Sequence, residues 1–118
     1  MRTNPLKARL KAGKKCLGAW LAANNSITAE VFALAGYDFV IIDHEHGPGD
    51  FVGAMAQLHA LRSGGGAAAP SPVIRVPWHD PIYIKRALDI GMEGIMVPNV
   101  ESADVADAMV RACYYPPV

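Results

Sequence analysis

Residues 39–42, Phe-Val-Ile-Ile, form an apolar, mostly β-branched run with no polar residue in it. Strands of that composition are covered on both faces, and strands covered on both faces belong to parallel sheets. A parallel sheet in turn needs long crossover connections, so this run commits its surroundings to strand-helix-strand units. Directly after it come Asp43, His44, Glu45 and His46, followed by the turn pair Gly47-Pro48. The carboxyl ends of parallel strands are where such folds keep their ligands and catalytic groups.

The remaining chain repeats the theme. A short basic helix is expected over 5–11, and after the break at Gly13 a first apolar strand covers 17–21. The polar loop Asn24-Asn25-Ser26 precedes a helix that Ser26 caps, with Val31, Phe32, Leu34 and Ala35 as its apolar positions and Gly36 as its stop. Asp50 opens a helix to about residue 62, in which Phe51, Met55, Leu58 and Leu61 recur at helical spacing on one face. Residues 63–72 read as a flexible loop. Their glycines lack the Lys-Ser/Thr ending of a phosphate-binding loop, so no phosphate cradle is expected. A third strand over 73–76 runs into the turn Pro77-Trp78-His79. Asp80 then caps a helix with proline at its first position, Ile84, Ala87 and Leu88 facing inward, and a stop at Gly91. A fourth strand covers 94–97, and Ser102 caps a last helix reaching about residue 113.

Four strand-helix units in succession build either an open doubly wound sheet or half of a (β/α)8 barrel. Two junctions, 35–38 and 90–93, share the pattern of a helix-ending glycine before an apolar strand. A whole barrel takes roughly 250 residues, and this chain has 118. One domain over 1–118 is expected, and the Tyr-Tyr-Pro-Pro-Val ending reads as a loop leading onward.

Composition excludes several partner classes. Eleven basic and eleven acidic side chains leave a formal charge of zero, so no electrostatic footprint for nucleic acid is present. The lysines and arginines crowded near the amino end lack the apolar stretch of a signal peptide and read as a solvated face. Charges interrupt every apolar run before the roughly 18 residues of a membrane span. Cys16 and Cys113 are far apart and fit neither a metal knuckle nor a redox pair, which points to reduced thiols and a cytoplasmic location.

Along a strand, Asp43 and Glu45 face one way and His44 and His46 the other until the turn reorients them. Three readings of the group stay open: a metal site of imidazole and carboxylate, a general base supported by a carboxylate, or polar residues capping the next helix. Arg75, between Ile74 and Val76 at a strand end, would bury its guanidinium unless an anion meets it; that partner is either a protein carboxylate or a substrate carboxylate or oxyanion, and the strand-end position favours the substrate. Asp89 opposes the dipole at the end of its helix, so an Arg or His partner is expected. His59 reads as a helix-surface residue and His79 as a turn residue.

Four ordered blocks carry a resemblance: Gly-Tyr-Asp-Phe-Val-Ile-Ile-Asp-His-Glu-His-Gly-Pro, Val-Ile-Arg-Val-Pro-Trp-His-Asp, Ala-Leu-Asp-Ile-Gly-Met-Glu-Gly-Ile-Met-Val-Pro and Tyr-Tyr-Pro-Pro. They resemble the 4-hydroxy-2-oxoheptanedioate and 2-dehydro-3-deoxyglucarate aldolase family, citrate-lyase-like class II aldolases that use pyruvate. The resemblance implies the amino-terminal half of a (β/α)8 TIM barrel, a small 2-oxo acid as substrate and a homo-oligomer. By it His46 matches the catalytic base, Arg75 the arginine that stabilises the pyruvate enolate and Asp89 the aspartate that supports the histidine. Asp43 matches an acid close to the metal through water. A divalent cation such as Mg, Mn or Co is implied for the complete enzyme. Its two direct carboxylate ligands are expected beyond residue 118, so this chain alone is expected to bind no metal and to be inactive. A non-catalytic half-barrel that self-associates is the competing reading.

Overall fold

A computed structural model of the chain describes residues 3–117. Helix α1 (Pro5–Lys11) precedes β1 (Gly18–Leu21), α2 (Ser26–Leu34), β2 (Phe39–Asp43) and α3 (Phe51–Gly65). A 3-10 turn (Gly66–Ala68) leads to β3 (Ser71–Arg75), α4 (Pro81–Asp89), β4 (Gly94–Met96) and α5 (Ala103–Ala112). The strands form one sheet in the order β1-β2-β3-β4, every neighbouring pair parallel.

Local chemistry sets most helix boundaries. The Asp50 carboxylate accepts from Gly53 N–H at 2.7 Å, Asp80 from Ile82 N–H at 2.8 Å, and Ser102 Oγ from Val105 N–H at 3.2 Å, each satisfying a first-turn donor. The cap of α2 is Asn25 rather than Ser26, because its side chain accepts from both Ile27 and Thr28 N–H at 2.8 and 3.1 Å. Gly36 and Gly91 follow α2 and α4 with φ of 82° and 105°, a left-handed backbone that side-chain-bearing residues resist.

Packing departs from the sequence pattern in two places. The buried residues of α2 are Ala29 and Ala33, while Val31 and Leu34 stand 61% and 72% exposed. The α3 face that packs on α2 is built the same way: a Cβ on Gly64 would lie 3.3 Å from Ala33 Cβ, and one on Gly65 would lie 3.2 Å from the Ala33 carbonyl oxygen. Close helix approach selects small residues there and turns the large ones outward. It also explains why α3 runs on through Gly65, where a loop was expected, and why Ala54, Gln57, Leu58 and Leu61 are buried while Met55 is not.

Between sheet and helices lies one core, in which Leu21, Val40, Ile42, Ile74 and Val76 meet Leu58, Leu61, Ile84, Ala87 and Met109. Those strand residues point toward the helices, so the alternate set, Trp20, Ile41, Asp43, Val73, Arg75 and Met96, lies on the opposite face of the sheet. In the ladder Asp43 stands level with Arg75, and Arg75 with Met96.

Candidate active site

Two strands end one step apart in space, and each ends on a charge. Arg75 Nε donates to Asp43 Oδ1 at 2.9 Å and Nη2 to Oδ2 at 2.5 Å, the planar fork that a guanidinium makes with a carboxylate. Asp43 Oδ1 also accepts the backbone N–H groups of Glu45 and His46, at 3.0 and 3.1 Å. This turn ends the alternation of the strand and folds both residues back over the arginine. Glu45 Oε2 then sits 3.0 Å from Arg75 Nη1, and His46 Nδ1 sits 3.1 Å from Arg75 Nη2.

A guanidinium only donates, so Nδ1 of His46 accepts, and the network assigns the neutral ring's proton to Nε2. That leaves the basic nitrogen beside the cation, at an imidazole whose side chain is 72% exposed. The hydrogen bonds from Arg75 hold Asp43 down to about pH 2, against an ordinary value of 3.8, despite the opposing effect of burial. The same contact raises Arg75 above its usual value. Beneath the guanidinium lies Trp20, its ring centroid 4.5 Å from Arg75 Cζ.

His44 points the other way. It is buried, its Nδ1 is 2.7 Å from the Tyr83 hydroxyl on α4, and its ring meets Phe51 and Tyr83 edge-on. Burial pushes its pKa below the ordinary 6.5. Gly49 makes room for it, since a Cβ there would lie 2.5 Å from His44 Nε2. His44 thus anchors the loop to α4 while His46 reaches the rim.

Of the four residues singled out in the sequence, the structure brings Asp43, His46 and Arg75 together. Asp89 is not among them. It is the last residue of α4, a helix that runs back from the carboxyl ends of the strands, and its Oδ1 accepts from the Tyr115 hydroxyl at 3.0 Å. It lines a cavity of about 320 Å³ with Lys85, Leu88 and Cys113, and among the described residues it forms no ion pair with His46. The expected convergence of imidazole, guanidinium and Asp89 on one rim therefore does not occur within this chain. His59 is exposed on α3, and His79 lies against Trp78 in the turn after β3. Trp20 and Tyr83 escaped the sequence reading, although the alternation of β1 puts Trp20 and Leu21 on opposite faces.

No three His, Cys, Asp or Glu side chains cluster as a metal cage among the described residues. Asp43 and Glu45 direct their carboxylates at Arg75, so the residues present do not fit direct coordination.

Residues 17–118 match the family of HpcH/HpaI aldolases and citrate lyases. The chain belongs to that family. Over 115 residues it is 44% identical to a 4-hydroxy-2-oxo-heptane-1,7-dioate aldolase of Escherichia coli, covering 97% of this chain and 42% of the relative. The crystal structure of an HpcH/HpaI aldolase/citrate lyase family protein from Burkholderia cenocepacia superposes with a TM-score of 0.89 at 40% identity, covering 97% of this chain and 44% of that one. An HpcH/HpaI aldolase from Desulfitobacterium hafniense gives 0.82 at 35% identity, over 95% and 42%. The chain thus spans less than half the length of these HpcH/HpaI relatives. Its four parallel strand-helix units are the α/β architecture of the amino-terminal half of a (β/α)8 barrel, as the family resemblance implied.

Proposed function

We propose that this chain carries the proton-transfer and oxyanion-binding half of a divalent-metal-dependent aldolase that cleaves 4-hydroxy-2-oxo acids into pyruvate and an aldehyde. The observation that carries it is the 3.1 Å approach of His46 Nδ1 to Arg75 Nη2 at the carboxyl ends of β2 and β3. Family membership and the name of the Escherichia coli relative support the choice of reaction and substrate class.

In the cleavage a base removes the proton of the C4 hydroxyl, the C3–C4 bond breaks to release the aldehyde, and its electron pair becomes the pyruvate enolate, which is then protonated at C3. His46 is the acceptor for that proton: Arg75 Nη2 holds its Nδ1 lone pair in the free chain, and the proton enters there once that donor is given over to the substrate oxyanion. Arg75 holds the developing oxyanion, and because its fork is already fixed by Asp43 it needs little reorganisation when charge builds up. A divalent cation held in the complete enzyme would supply Lewis-acid polarisation of the 2-oxo group. Its direct ligands lie outside residues 1–118 in this reading, with Asp43 near it through water, and the isolated chain is inactive. Asp89 keeps the supporting role toward the histidine only if something beyond this chain's own fold brings the two together. The complete enzyme acts in the cytoplasm as a homo-oligomer.

Steady-state cleavage of a 4-hydroxy-2-oxo acid by the complete enzyme tests the reading. Chelator should abolish turnover, His46→Ala should lower kcat by about 10²–10⁴-fold, and Arg75→Lys should lose a factor of about ten or more because a point charge cannot copy a planar fork. Turnover that survives chelation, or an unchanged His46→Ala enzyme, overturns it.

The second reading, a self-associating half-barrel without catalysis, draws on the outer strands. β1 and β4 each pair on one side only, and Leu17, Trp20 and Met96 are exposed beside them.

A further inference from the structure

Arg75 is held along its edges by the Asp43 and Glu45 carboxylates, contacts that lie in the guanidinium plane. The face is covered by Trp20, whose ring centroid lies 4.5 Å from Arg75 Cζ, a separation at which the ring quadrupole attracts the cation. Trp20 sits on β1, two strands away. It is level with Ile41, and through Ile41 with Val73, one step below the Asp43–Arg75 pair on the same face of the sheet. Its neighbours at that level are covered, Ile41 at 5% and Val73 at 8% exposure, whereas the indole is 48% exposed.

We propose that Trp20 is a positioning residue of the 2-oxo acid site, its indole face setting the plane in which Arg75 presents its N–H donors to the substrate oxyanion. This rests on the reading of Arg75 given above. It assigns β1 a part in a site otherwise built from β2 and β3, and it makes the aromatic face, rather than apolar bulk, the property that matters at position 20.

Two measurements on the full chain and the active enzyme test it. In proton-nitrogen spectra of the chain, the Nε–H and δ-methylene signals of Arg75 should be displaced by the indole ring current, lose that displacement in Trp20→Leu and keep most of it in Trp20→Phe. In the enzyme, with thermal midpoints matched, Trp20→Leu should weaken inhibition by oxalate, a planar dianion resembling the enolate, and lower kcat, each by about tenfold, while Trp20→Phe stays within about threefold. Arg75 signals that do not move in Trp20→Leu overturn the inference, as does a Phe variant as impaired as the Leu variant. If Arg75→Lys itself leaves oxalate inhibition unchanged, the reading of Arg75 as oxyanion holder fails, and this assignment of Trp20 to the 2-oxo acid site fails with it. If Arg75→Lys is impaired but the Arg75 signals ignore Trp20, only the role of Trp20 falls.

Discussion

The carboxylate of Asp43 accepts hydrogen bonds from Arg75 and from the backbone of Glu45 and His46, with little of it open to solvent. Its folded pKa of about 2 lies below the ordinary 3.8, so the folded state binds its proton less readily than the unfolded chain does. The resulting stabilisation, about 2 kcal/mol, is present above pH 3.8 and is lost as pH falls toward 2. Urea titrations from pH 6 to about pH 2 should show that loss in the wild-type chain. Asp43→Asn should lack this segment and be less stable at pH 7 by about 2 kcal/mol or more, since Arg75 is left without its fork partner. That Asp43 and Arg75 close their strands was legible from the apolar runs preceding them. Their pairing was not, because strand register depends on residues some thirty positions apart and no local pattern encodes it. The same holds for Trp20 under Arg75. For Asp89, the unfavourable dipole at the helix end called for an Arg or His partner and the family likeness for the histidine, whereas its partner in the fold is the neutral Tyr115 hydroxyl.

Helix ends were the most readable elements, because capping is short-range chemistry: Asp50, Asp80 with Pro81, Ser102, Gly36 and Gly91 all act where their residue types put them. Helix faces were less readable. In α2 hydrophobicity favoured Val31 and Leu34, yet the tight approach of α3 selected Ala29 and Ala33 on size. Two substitutions separate the cases. Leu58→Ala removes a fully buried side chain of α3 and should cost about 2–5 kcal/mol. Leu34→Ala, on the outer face of α2, should stay within about 0.5 kcal/mol. Paired urea midpoints read both, and a large effect at Leu34 would mean that something covers that face in solution.

On the scale of the molecule, alternating strands and helices were enough to give a parallel sheet but left both a doubly wound order and the chain order of a half barrel open; the family resemblance chose the latter, which is the order β1-β2-β3-β4 found. Nothing local told which strand face would meet helices and which would carry the charges. The sheet ends in two strands bonded on one side only, and such edges template further pairing. Light scattering of the 118-residue chain should therefore show association that grows with concentration, and a monomer at all concentrations would count against open edges. The ladder has one more implication. Asp43 and Arg75 share a rung, so sliding β3 by a single residue would swing its arginine into the oily layer and strand the aspartate alone. Assembly errors in this sheet thus carry their own electrostatic penalty, and the pair that serves chemistry also proofreads the pairing that creates it.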